Sequence, residues 1–234
     1  MHNSIVVCVL AAFAVVALPA AHLIAAVIPP IGLAPGSQYQ LIFVTAGTHD
    51  ALSSDITDYN TFVSNEAALN PSLPTGVTWA AVASTDAVNA NANALSGGLP
   101  VYNTAGQQEA DAMTGIYGGS LFRVPSYDQY GNVQSSQVWT GSDQFGIGFP
   151  TRVLGSPDAA IVGISFLDDS SWLVDSSQFT SGVRPLYALS SPITVPTPEP
   201  TTLTLLGSAL FLIGGHRFVR WRRRRDDLGS ALNQ

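Results

Sequence analysis

The sequence predicts one α+β domain with an antiparallel sheet and two helices, held between two specialised apolar ends. Three observations predict it. Segments rich in β-branched and aromatic residues recur between residues 39 and 190 and read as strands. Apolar residues at helical spacing are confined to the first half of that stretch. Strands and helices do not alternate as βαβ units would require, which argues against a doubly wound parallel sheet. With both ends set aside, roughly 150–160 residues remain, about one domain and enough to bury a core without disulfide or metal staples.

The elements follow in chain order. Residues 39–45 (YQLIFVT) carry strand character with no breaker, and Gly47 follows. Ser54 is the expected cap of a helix, with Asp55 and Asp58 in its first turn where the helix dipole favours acids. Ile56, Tyr59, Phe62, Val63 and Ala67 share one helical face, and Asn70-Pro71 stops the helix. Residues 77–83 (VTWAAVA) read as a second strand, and residues 87–98 as an Asn- and Gly-rich loop. A short second helix is expected over 107–113. Strands are expected at 121–124 and 137–140, separated by a turn at 128–132 (DQYGN). Residues 160–167 (AIVGISFL) form the most apolar strand, and 184–190 (RPLYALS) closes the domain. The total is about six strands and two helices, with no internal repeat.

Charge is distributed unevenly. The chain has no lysine, and six of its nine arginines lie between residues 217 and 225. Residues 50–175 hold thirteen acids, against three arginines (Arg123, Arg152 and Arg184) in the whole central domain. Such a field repels nucleic acid and anionic lipid, and permits neutral glycans and divalent cations. Simple solubility explains it equally well. The single cysteine, Cys8, lies in the N-terminal apolar run, so no disulfide framework exists.

The ends carry sorting features. Residues 5–28 are almost continuously apolar, and 5–18 match the apolar region of a secretory signal. The expected division is a signal peptide at 1–26, a linker at 27–37, the domain at 38–191 and a Pro-rich linker at 192–200. An uncleaved N-terminal helix is the alternative. Residues 201–215 (TTLTLLGSALFLIGG) form a short apolar run, followed by Arg217, Arg220, Arg222, Arg223, Arg224 and Arg225. A spanning helix needs about 20 residues, so this span is short and its arginines must snorkel. The arginines belong on the cytoplasmic side, which places the domain outside.

Pro198-Glu199-Pro200, the apolar stretch and the arginine cluster resemble the PEP-CTERM sorting signal of bacterial exopolysaccharide-associated proteins, over residues 198–225. The resemblance implies recognition by an exosortase, a membrane protease that cuts near the tripeptide. It implies export through the secretion translocon, a membrane stage, and then the cell surface or an exopolysaccharide matrix. The tail at 226–234 departs from the family, whose signals usually end soon after the arginines.

Between the ends, Phe43-Val44-Thr45, the capped helix, residues 78–81 (TWAA), 100–104 (PVYNT) and 138–142 (VWTGS) resemble a C-type-lectin-like module of bacterial surface proteins. The resemblance implies that Trp139-Thr140-Gly141 sits in the core and organises a long loop region. The chain lacks the usual cysteines and the Trp-Asn-Asp pattern of calcium-dependent sugar binders.

The chemistry visible in the sequence is sparse. His49 is the one histidine of the central domain, beside Thr48 and Asp50, and no G-x-S-x-G elbow supplies a nucleophile. Zinc chemistry, a P-loop, a dinucleotide fingerprint and an EF-hand lack their residues. Asp168, Asp169 and Asp175 around Trp172 are the candidate oxygen ligands for calcium, with Trp172 as a sugar-stacking ring; turn composition explains the same residues. Trp79 and Trp139 read as core, and Asp143 as a loop acid without a partner. No cofactor is expected apart from that candidate calcium. The functional expectation is a non-enzymatic envelope protein. A glycan-binding module and a hydrolase using His49 or an aspartate pair are the alternatives.

Overall fold

The computed structural model describes residues 30–197. The expected signal peptide, Pro198-Glu199-Pro200, the apolar span and the arginine cluster lie outside the described residues. Among the described residues no helix is long and apolar enough to cross a membrane.

The fold is mixed α+β with two α-helices and mostly antiparallel pairing. In chain order the elements are β1 (Gln38–Val44), α1 (Ile56–Ala68), β2 (Trp79–Ala81), α2 (Ala90–Asn93), β3 (Val101–Asn103), β4 (Gln108–Ala110), β5 (Gln137–Trp139), β6 (Ala159–Ile164), β7 (Ser176–Phe179), β8 (Tyr187–Ser190) and β9 (Ile193–Thr194). Two 3-10 turns stand at Gly115–Tyr117 and Ser170–Trp172. The main sheet runs β2-β8-β1-β3-β4, with β9 pairing the start of β1; β5-β6-β7 form a second sheet. Only the β1–β3 pairing is parallel among these strand pairs.

β1 is buried at every position after Gln38 because both faces of the main sheet are covered. Its side chains alternate between two cores, as the two-residue period of a strand requires. Tyr39, Leu41 and Phe43 join Tyr59, Val63 and Ala67 of α1, and Trp79 and Trp139, on one side. Ile42 and Val44 join Ala90, Ile116, Val138, Trp172 and Tyr187 on the other. Trp79 and Trp139 therefore lie in the core as expected. The indole N–H of Trp139 donates to the His49 carbonyl at 3.0 Å, and Arg184 lies 5.2 Å over its ring.

Several local expectations are corrected. The cap of α1 is Asp55, not Ser54: its carboxylate accepts the Thr57 N–H at 2.9 Å. Ser54 instead lies under Gly155, where an added Cβ would sit 2.6 Å from the Ser54 Cα. The helix expected over 107–113 is β4, because turn chemistry brackets it. The Asn103 side-chain oxygen accepts the N–H groups of Ala105 and Gln107, and the Asp111 carboxylate accepts those of Met113 and Thr114. The second helix lies instead in the expected 87–98 loop, as α2, whose Asn93 bonds Asn60 and the Ala81 carbonyl. Residues 121–124 form no strand; Leu121 and Phe122 donate to different segments, at the Asp168 and Glu109 carbonyls. β3, β7 and β9 are short strands that the sequence pattern did not mark.

Candidate functional site

The aspartates around Trp172 do not converge. Among the described residues no three His, Cys, Asp or Glu side chains are grouped so as to hold a metal ion. Asp169 caps the Ser170–Trp172 turn by accepting the Ser171 N–H at 2.9 Å. The Asp168 carbonyl accepts from Leu121, and the Asp175 N–H donates to Val162. Trp172 is fully buried and packs edge-on against Tyr187, with ring centroids 5.3 Å apart. Its ring therefore offers no exposed face to a sugar.

His49 also has a structural place. Its backbone bridges Arg184, and its ring packs against Tyr59 and Phe62. Nδ1 lies 2.8 Å from the Asp50 carbonyl and 3.6 Å from the Asp50 carboxylate. Among the described residues no hydroxyl hydrogen-bonds the ring, so the first link of a nucleophile–base pair is not formed here.

A cleft of about 730 Å³ lies between residues 85–89 and 148–159, with Ser54 in its lining. That volume lies within the usual range of ligand sites. Ordinary strand ladders do not build it. Ser84, just past β2, accepts the Leu154 N–H at 2.9 Å, while Gly155 donates to Ala51 at 2.8 Å. The Asn89 side chain accepts the Gly148 N–H at 2.8 Å and ties the two walls together. Gly141 makes the join possible. Its φ is +60°, and a Cβ there would lie 2.6 Å from the Ser84 carbonyl oxygen.

The lining mixes acids, hydroxyls and apolar faces. Asp86 and Asp158 are exposed, Arg152 donates to Ser177 at 2.7 Å, and Phe149, Pro150 and Pro157 supply the apolar surface. Thr85 is buried, and its hydroxyl has no hydrogen-bond partner. Thr151 has φ +61°, the one non-glycine among the described residues in that region. Such a conformation costs about 1–2 kcal/mol and persists only where its surroundings enforce it. Beside the cleft, Asp143 finds the partner it lacked in the sequence. Its carboxylate accepts the N–H groups of Phe145 and Ile147, each at 2.9 Å, and fixes a loop displaying Phe145, Ile147 and Phe149 to solvent.

One further group departs from its ordinary chemistry. Glu109 in β4 is fully buried, and burial pushes its carboxyl up to about 8. The Asn103 amide, donating to Oε1 at 2.6 Å, and the charge of Arg123 act against that shift, while Asp168 adds to it. Burial, with Glu109 beside it, also raises the Tyr187 hydroxyl well above its usual range.

The sequence reading missed the cleft and Glu109. The Gly- and Pro-punctuated stretch 145–157 (FGIGFPTRVLGSP) carried a signal for the cleft as a long loop. Nothing in the local pattern QEA marks Glu109 as buried. The chain matches no described protein family and no curated protein in sequence.

Proposed function

We propose that this chain is an exported cell-envelope protein of the PEP-CTERM sorting class, with a non-enzymatic ectodomain that associates with the cell surface or exopolysaccharide matrix. The observation that carries the reading is the position of the chain ends. β9 pairs with the first residues of β1, Gly36 donates to the Val195 carbonyl at 2.9 Å, and both ends leave from one end of the main sheet. β2 runs from that end, where Trp79 faces Ser190, towards Ala81, and the cleft begins just beyond at Thr85. A domain tethered through residue 198 would hold its cleft away from the tether.

The sequence beyond residue 197 supplies the rest. A proline-rich linker is extended and short of donors, which suits a protease cleft. A short span ending in arginines suits a transient anchor held at the cytoplasmic face. The expected partners are the secretion translocon, an exosortase-type membrane protease, the membrane and exopolysaccharide. Alkaline phosphatase fused after Thr197 should be active in the envelope. A stably expressed but inactive fusion would sink the topology.

The cleft favours a second reading, a glycan-binding module of C-type-lectin-like architecture. The pairing of first and last strands, the separate three-stranded sheet and the long irregular stretch around Gly141 support the architecture. Exposed carboxylates and hydroxyls beside proline and phenylalanine faces suit a neutral, hydroxyl-rich chain. Asp86→Ala with Asp158→Ala should then abolish saturable binding to an envelope polysaccharide. Unchanged binding would remove the cleft from the account.

A further inference from the structure

Among the described residues six buried side-chain polar atoms have no hydrogen-bond partner, and three of them are Glu109 Oε2, Trp172 Nε1 and the Tyr187 hydroxyl. Trp172 and Tyr187 pack edge-on in the same core, and the Tyr187 hydroxyl lies close enough to Glu109 to respond to its charge. Buried polar atoms without partners are destabilising, so such a cluster calls for an explanation. Its placement is built rather than accidental. Val101 pairs with Ala110 and Tyr102 with Gln108, so a β-bulge leaves Glu109 over between two pairs. Bulges re-aim side chains, and this one brings the carboxyl to Asn103.

We propose that Glu109 is a proton-operated latch on the β4 edge of the domain: neutral, it lets residues 121–124 stay closed against that edge, and ionised, it opens the edge to water. β4 is the last strand of the main sheet, so this edge is the short route for water to the carboxyl. Residues 121–124 are the lightly held cover of this edge, with Phe122 and Arg123 exposed, whereas Trp172 anchors its turn in the core. Phe122 donates to the Glu109 carbonyl at 2.8 Å and Leu121 to the Asp168 carbonyl at 2.7 Å. A carboxylate needs several hydrogen bonds in a dry interior, and Asn103 supplies one. The groups facing Glu109 are neutral Asn103 from β3, Arg123 from residues 121–124, Asp168 before the Ser170–Trp172 turn, and Tyr187 from β8; the Gly115–Tyr117 turn also packs on β4, and its Tyr117 hydroxyl is spent on the Ala90 and Ala94 carbonyls. Arg123 favours the ionised state and Asp168 opposes it, so the two exposed charges set where the latch releases.

The test is amide hydrogen exchange on the full chain in detergent, from pH 6 to pH 9.5, with rates corrected for their intrinsic pH dependence. Protection of residues 121–124 should fall at least tenfold with a midpoint near pH 8, while α1 and the Ser170–Trp172 turn stay protected. Glu109→Gln should abolish the transition. Asp168→Asn should move the midpoint to lower pH, and Arg123→Gln to higher pH; both residues are exposed, so these variants test the latch even if Glu109→Gln misfolds. A flat wild-type profile, an unchanged transition in Glu109→Gln, or midpoints that do not move in opposite directions would overturn the proposal.

Discussion

The main sheet and the cleft loops are held together by different physics. In β1, β2 and β8 the side chains alternate between two cores, and burial of Leu41, Phe43, Ile42 and Leu189 supplies the stabilisation. In residues 82–90 and 141–159 side-chain oxygens on backbone N–H groups join the backbone–backbone bonds of the loops. Ser84 accepts from Ala90, Asn89 from Gly148, and Asp143 from Phe145 and Ile147. Apolar burial is forgiving of shape within limits, but a loop held by single hydrogen bonds is specified residue by residue. That difference separates scaffold from site: the sheet carries the fold, and the loops carry the cleft.

The comparison predicts a descending order of damage. Trp139→Ala should cost about 3–5 kcal/mol, because it empties a fully buried site and strands the His49 carbonyl. Chemical denaturation would measure it, and a loss below about 1 kcal/mol would mean that this ring does not hold its core together. Gly141→Ala should cost about 3 kcal/mol, from positive φ and the approach to Ser84, and should disorder the cleft walls before the main sheet.

Glu109 belongs to the main sheet, on its edge strand β4. Its folded value of about 8 lies above the ordinary carboxyl value of 4.5, so the folded state binds the proton more tightly than the unfolded one. Stability is therefore fully present below the unfolded value and is lost as pH rises through the folded one. Melting temperature should fall between pH 5 and pH 8, with a slope of up to about 1.4 kcal/mol per pH unit. Glu109→Gln should flatten that fall; a parallel fall in both proteins would show that other groups cause it.

Smaller effects belong to the loops. Asp143→Ala should cost about 1–2 kcal/mol and raise exchange at Phe145 and Ile147, leaving β1 unaffected. Thr151→Gly should be neutral or stabilising by about 0.5–1 kcal/mol, since relief of positive φ outweighs added chain entropy. A clear destabilisation would show that the Thr151 side chain holds the cleft.

The same contrast explains what the sequence reveals. α1 is legible because burial imprints a period of 3.6 on its residues, and β1, β6 and β8 because strands buried on both faces read as runs of apolar and aromatic residues. β3, β7 and β9 are two to four residues long, too short for a period to register. The misplaced second helix has a local cause. QEADAM carries helix-forming residues, but Asn103 and Asp111 turn the chain on either side of it. Of the site, only its loop character was readable. Which walls meet depends on pairings such as Thr85 with Leu154, nearly seventy residues apart, about which local pattern says nothing. Trp172 looked like a binding residue because it stands among aspartates; its neighbour in space is Tyr187.

The central claim is that this acidic domain is exported and released from a transient anchor. Mass spectrometry of the protein from a host with an active exosortase tests it most directly. The account predicts a mature form that ends near residue 200, and accumulation of membrane-bound precursor when Glu199 is replaced by alanine. An intact C-terminus through Gln234 in that host would contradict it and make residues 201–225 an ordinary tail anchor.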